Sequence, residues 1–194
     1  RIYLCQFHSS NCKDDGGAIF FAYTKDKKSI TCEISACSFN SCTSGEEGGA
    51  ISSGISDNEG TKFDGDMIID NCTFDQCISN NGGAIYFNDG TSKNKEHKYV
   101  TNCTFINCSA RSDDGKGYAI CGYPYEINLT LNIFKGFKPY SQTANRETSS
   151  IIFLRMNEEE VTPTIDSLTF EDNNGVPGLL LDIVSNATMN NLVF

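Results

Sequence analysis

Cys72-Thr73-Phe74-Asp75-Gln76-Cys77, followed by Gly82-Gly83-Ala84-Ile85, is the stretch on which the fold turns. The same phrase stands at Cys37-Ser38-Phe39-Asn40-Ser41-Cys42 with Gly48 to Ile51. It returns at Cys103-Thr104-Phe105-Ile106-Asn107-Cys108, followed by the variant Gly117-Tyr118-Ala119-Ile120. An earlier copy is Cys5-Gln6-Phe7 with Gly16 to Ile19. Self-similarity at this spacing is the signature of stacked structural units.

The register extends beyond these copies. The Phe position is occupied by Phe7, Phe39, Phe74, Phe105, Phe134, Phe170 and Phe194. Five residues before each stands an aliphatic side chain: Ile2, Ile34, Ile69, Val100, Leu129, Ile165 and Met189. Two before it the column reads Cys5, Cys37, Cys72, Cys103, Asn132, Leu168 and Leu192. Three after it come Ser10, Cys42, Cys77, Cys108, Phe137 and Asn173. The last position of the Gly-Gly-Ala-Ile phrase gives Ile19, Ile51, Ile85 and Ile120, and is expected to continue through Ile152 and Leu181.

Within each phrase the apolar residues are two apart, as in Cys37 and Phe39 or Ile85 and Phe87, which is strand spacing. No sustained helical spacing is present. The paired glycines suit a corner where positive φ or close backbone approach is needed. These features predict an all-β fold, a parallel β-solenoid of about seven coils with three short strands per coil, roughly 30 Å long. A right-handed sense follows from the usual crossover preference. Residues 1–194 read as one domain. Both ends fall in mid-phrase, so the chain is expected to be a piece of a longer solenoid, or to stack end to end on neighbouring solenoid chains. Thr24 to Ser29, Ser56 to Asp66 and Asn88 to Lys98 read as one polar loop per coil. The basic runs Lys25 to Lys28 and Lys93 to Lys98 read as solvated loop tips.

A net charge of −10 argues against nucleic acid or an anionic membrane as partner. No run approaches the ~18 apolar residues of a membrane-crossing helix. The ten cysteines lie between residues 5 and 121. Their spacing and a complement of two His, His8 and His97, do not suit zinc. Cysteines in one solenoid column lie about 4.8 Å apart at Cα, within disulfide reach. Cys5, Cys37, Cys72 and Cys103 in one column, and Cys12, Cys42, Cys77 and Cys108 toward the other, are therefore candidates for bridges between coils. The other reading of the same columns is a ladder of reduced thiols packing as small hydrophobes. Asn71, Asn102, Asn107, Asn128 and Asn186 each head an N-glycosylation acceptor pattern. Cysteines and acceptors together point to a secreted or cell-surface glycoprotein.

The Phe170 to Asn173 phrase and the Gly-Gly-Ala-Ile phrases at Gly16, Gly48 and Gly82 resemble the repeat of polymorphic outer-membrane proteins. The resemblance covers roughly residues 1 to 183. It implies the right-handed parallel β-helix of surface adhesins, and with it adhesion or a surface scaffold. This chain departs from the family pattern by placing Cys42, Cys77 and Cys108 where the family has Asn.

One polar row could carry chemistry. Asp14-Asp15, Glu46-Glu47, Asn80-Asn81 and Asp113-Asp114 each precede a glycine corner. Stacked, their carboxylates repel unless a cation relieves them, and hard oxygen donors suit Ca²⁺. The competing reading is a solvated turn. The aspartate pairs also raise the alternative of a β-helix carbohydrate-active enzyme, a polysaccharide lyase or polygalacturonase-like hydrolase, with Arg111 beside Asp113-Asp114. The Gly-His-Gly and Arg-x-Lys phrases of a polygalacturonase-like site are missing, and no nucleophile elbow or phosphate loop is present. The function expected is thus a non-catalytic module presenting loops to a protein or glycan ligand, with enzyme and structural filament subunit as alternatives.

Overall fold

A computed structural model describes residues 1–21, 30–54, 65–89, 96–111, 115–139, 150–156, 161–183 and 186–194. The regular structure among them is β-strand throughout, and every pairing between strands is parallel. The first circuits of the chain are β1 (Ile2–Tyr3), β2 (Gln6–His8), β3 (Asn11–Cys12), β4 (Ile19–Phe21), then β5 (Ile30–Ser35), β6 (Ser38–Asn40), β7 (Thr43–Ser44), β8 (Ile51–Ser53). They continue as β9 (Gly65–Asp70), β10 (Thr73–Asp75), β11 (Ile78–Ser79), β12 (Ile85–Asn88), then β13 (His97–Thr101), β14 (Thr104–Ile106), β15 (Ser109–Ala110), β16 (Ile120–Tyr123). After these come β17 (Glu126–Thr130), β18 (Ile133–Lys135), β19 (Ile152–Met156), then β20 (Thr164–Asp166), β21 (Thr169–Glu171), β22 (Leu179–Ile183) and β23 (Thr188–Asn190).

Like strands stack into four sheets, ordered β1-β5-β9-β13-β17-β20-β23, β2-β6-β10-β14-β18-β21, β3-β7-β11-β15 and β4-β8-β12-β16-β19-β22. This is a parallel β-solenoid. The expected three strands per circuit hold only for β17–β19 and β20–β22; the preceding circuits carry a fourth, two-residue strand. Those short strands turn Ser44, Ser79 and Ala110 inward, all buried. Ser44 and Ser79 donate their hydroxyls to the backbone of the adjoining corner, at Glu47 O (3.0 Å) and Asn81 O (2.8 Å). Small polar side chains that spend themselves on local carbonyls leave no apolar periodicity in the sequence.

The columns are in register. Ile34 pairs with Ile2 and Ile69, Val100 with Ile69 and Leu129, and Ile165 with Leu129 and Met189. Ile19, Ile51, Ile85, Ile120 and Ile152 form a continuous line. The next member is Leu179 and not Leu181, which pairs with Leu154. A two-residue slip keeps the same face inward, so hydrophobic pattern alone cannot detect it.

The Phe column is the spine. Rings from Phe7 through Phe39, Phe74, Phe105, Phe134 and Phe170 to Phe194 stack with centroids 4.8 to 5.2 Å apart. Stacked aromatic pairs contribute about 0.5–1.5 kcal/mol each beyond their burial. Phe39, Phe74, Phe105 and Phe134 are fully buried.

Two bends per circuit are made by single left-handed residues. One row runs Leu4, Ala36, Asn71, Asn102, Leu131, Ser167 and Asn191; the other runs Ser9, Ser41, Gln76, Asn107, Gly136 and Asp172. Each non-glycine member is disfavoured by about 1 kcal/mol or more. Stacking offsets this, because the N–H at every bend but the last of each row donates to the next circuit, as Ala36 to Asp70 O at 3.1 Å, Asn71 to Thr101 O at 3.0 Å and Leu131 to Asp166 O at 3.1 Å. The third bend is the glycine corner. Gly48 has φ +65°, and a Cβ on Gly49 would strike the Gly83 carbonyl oxygen. Both glycines of the phrase are thus required, for different reasons.

Two of the three polar loops are shorter than the sequence spacing predicts, and Thr24 to Ser29 lie outside the described residues. Asn88 ends β12, while Asp66 and His97-Lys98 lie within β9 and β13. Lys98 is not a solvated tip: it is fully buried, paired with Met67 and Ile127 in an inward column. Lys25 to Lys28 lie outside the described residues.

Candidate functional site

The cysteines form ladders of free thiols; none of the anticipated bridges is present. The geometry shows what they do. Cys37, Cys72 and Cys103 each follow a left-handed bend and turn inward. Their thiols lie nearest the carbonyls two residues back in their own circuit, Ser35 O (3.2 Å), Asp70 O (3.3 Å) and Thr101 O (3.1 Å), and reach Ile2 O (3.8 Å), Ile34 O (3.7 Å) and Ile69 O (3.7 Å) of the preceding circuit at longer range. Asn132 is next in that column, and its Nδ2 donates to Val100 O at 2.8 Å, the following carbonyl of the same row. Its Oδ1 accepts from Cys103 N at 2.9 Å, as Cys37 Sγ accepts from Cys5 N at 3.4 Å.

The second column repeats this. Cys42, Cys77 and Cys108 donate to the carbonyls of Phe7 (3.8 Å), Phe39 (3.6 Å) and Phe74 (3.6 Å). Asn173 Nδ2 donates to Phe134 O (2.9 Å), and its Oδ1 accepts from Phe137 N (3.0 Å). Cysteine therefore occupies the place of a ladder asparagine, its single weak donor facing a carbonyl of its own circuit and one of the preceding circuit. Hydrogen bonding to the neighbouring thiol, with burial, pushes Cys42 and Cys77 up; burial pushes Cys103 and Cys121 up. Buried thiols so shifted are poor nucleophiles, which opposes oxidation and exchange.

The acidic corner does assemble. Asp14, Asp15, Glu46 and Glu47 line an open groove of about 860 Å³ beside Phe20 and Asn88. Asp15 Oδ1 accepts from Glu47 N at 3.1 Å, and Asn81 Oδ1 accepts from Lys116 N at 3.2 Å. The second residue of these two pairs thus caps the backbone of the next circuit, a structural use of the turn. Among the described residues no group of three or more His, Cys, Asp or Glu is placed to hold a metal. Asp113 and Asp114 lie outside the described residues. Burial pushes the Glu47 carboxyl up to about 7, against a hydrogen bond from Tyr86 and with help from the Asp15 and Glu46 charges.

The five acceptor asparagines are on the outside. Asn71, Asn102 and Asn107 are exposed at left-handed bends, Asn186 is exposed, and Asn128 faces outward between buried Ile127 and Leu129. Asn102 Nδ2 donates to Asp70 Oδ1 at 2.9 Å.

Sequence reading missed two groups. On the outer face of the first sheet, His97 lies between two carboxylates, with Nδ1 3.4 Å from Asp66 and Nε2 3.0 Å from Glu126. Inside the solenoid, Lys98 Nζ lies 2.8 Å from Asp89 Oδ1, both side chains fully buried. Strand alternation held the signal for both. Lys98 stands two residues before the inward Val100, and His97 one step off that face.

The molecule is a parallel β-solenoid whose circuits are joined by thiol and carboxamide ladders, with an acidic groove at the glycine corner. Comparison with protein-family models, curated proteins and solved structures found no match to this chain. Among the described residues no helix is long and apolar enough to cross a membrane.

Proposed function

We propose that this chain is a non-catalytic scaffold or adhesion module of the cell surface or extracellular space. In this reading it is a right-handed parallel β-helix of about seven coils, the length of its longest sheet. The supporting observation is a rigid, in-register ladder of parallel sheets whose circuits are joined by passages of unequal length: between the fourth sheet and the first, two residues separate β16 from β17 and eleven separate β8 from β9. A rigid ladder with connections of unequal length is the usual plan of a solenoid binding surface. The net charge of −10 favours a neutral or cationic protein or glycan ligand. The outward-facing acceptor asparagines support a glycosylated exterior location.

The test is binding to glycan arrays and intact cells by the protein and by a variant with 55–64 and 90–95 replaced by short Gly-Ser links. Saturable binding lost in the variant, at unchanged melting temperature, is expected. Binding that survives the replacement would contradict the reading.

The carbohydrate-active alternative is favoured by one observation, the Asp66–His97–Glu126 row. Its carboxylates flank an imidazole across two strand spacings, about 10 Å. Release of reducing ends or unsaturated products that disappears in Glu126→Gln would promote it.

A further inference from the structure

We propose that Lys98 and Asp89 become joined by an intramolecular amide bond, formed with loss of water. Lys98 Nζ lies 2.8 Å from Asp89 Oδ1, and both side chains are fully excluded from solvent. Transfer of one Nζ proton across this contact to the Asp89 carboxylate gives the neutral amine and acid. Those are the reactive forms for amide formation.

The surroundings suit the step. Gly65 O accepts a proton of Nζ at 3.0 Å, which fixes the nitrogen in place. Tyr125 N–H donates to Asp89 Oδ2 at 3.0 Å, where it polarises the carboxyl and stabilises the oxyanion of a tetrahedral adduct. Glu96, two residues before Lys98 on the approach to β13, is likewise buried, at 3% exposure. Nζ attacks the Asp89 carboxyl carbon, one Nζ proton passes to the departing hydroxyl, and water leaves. The new bond is Nζ–Cγ; no oxidant or co-reactant is consumed. Holding the groups in contact supplies effective concentrations on the order of 10⁵ M or more, and exclusion of water opposes hydrolysis.

The bond would staple the end of β12 to the second residue of β13, closing a covalent ring at the base of residues 90–95.

The experiment is intact mass of the reduced, denatured full chain produced in a bacterial cytosol, with peptide mapping. The expected result is a mass lower than the sequence by one water, and a branched peptide joining Asp89 to Lys98. Lys98→Arg keeps a cation but lacks the amine, and should show the full mass. Asp89-Gly90 could lose the same mass by cyclising to a succinimide, which mild alkali reopens and which carries no link to Lys98. A full mass in the wild-type chain overturns the proposal. So does a water loss that persists in Lys98→Arg or maps to a succinimide.

Discussion

Residues 5–121 and residues 126–183 stack on one Phe spine but fill their rungs differently. The first region sets cysteines in both columns behind the left-handed bends, carries a fourth short strand per circuit, and bears acidic side chains at the glycine corner. The second sets Asn132 and Leu168 in one column and Phe137 and Asn173 in the other, and among the described residues shows no fourth strand. In the first row Val100 O follows Ile69 O directly; in the second, Phe105 O is passed over where Phe137 fills the rung, and Asn173 serves Phe134 O. A thiol or a carboxamide can thus face the same row of carbonyls, and an apolar side chain can take the place at Phe137 and Leu168. A thiol bonds more weakly but tolerates burial at less cost if a bond is imperfect. That trade suits a tightly packed series of rungs.

The largest effect should come from breaking what the two regions share. Phe105→Ala removes a fully buried ring flanked by Phe74 and Phe134, and should cost about 3–5 kcal/mol in equilibrium urea unfolding. Phe170→Ala, at a 7% exposed ring in the second region, should cost less, nearer about 2 kcal/mol. Equal losses would mean that the spine is not more tightly packed in the first region.

A smaller effect should separate the regions by pH. Glu47 has its carboxyl raised from an ordinary 4.5 to about 7, chiefly by burial. The folded state therefore holds this proton more tightly than the unfolded chain. The stabilisation is fully present below about pH 4.5 and is lost as pH rises through about 7. Allowing for partial solvent screening, the loss is on the order of 1–2 kcal/mol. Glu47→Gln should flatten this slope in urea midpoints measured from pH 4.5 to 8, leaving the variant relatively more stable at the alkaline end. An unchanged slope would remove Glu47 as its source.

Much of this architecture was legible in the residues. The Phe, aliphatic and Ile columns carry period-two signals at fixed spacing, and the register follows them as far as Ile152. The Leu179 pairing did not show because a slip of two preserves the face. The fourth strand did not show because Ser44 and Ser79 satisfy local backbone rather than an apolar core. Lys98 was hidden by its own charge in a lysine-rich run, although its place two residues before Val100 marked it as inward. At the acidic corner Asp14, Asp15, Glu46 and Glu47 line one groove, while Asp113 and Asp114 lie outside the described residues; that Asp15 caps the Glu47 N–H depends on side-chain direction, which spacing does not encode. The Asp66–His97–Glu126 row comes from three different circuits and exists only once the strands are in register.

The equivalence of thiol and carboxamide in the ladder is tested most directly at Asn132. This side chain is fully buried and bonds both Val100 O and Cys103 N. Asn132→Cys restores the residue of the preceding rung, whereas Asn132→Leu introduces the residue found at Leu168 in the same column, with no donor or acceptor. Equilibrium urea unfolding should place the Cys variant within about 1.5 kcal/mol of the parent, and the Leu variant about 2–4 kcal/mol below it, from two buried backbone groups left without partners. A Cys variant as damaged as the Leu variant, or a Leu variant as stable as the parent, would contradict the ladder.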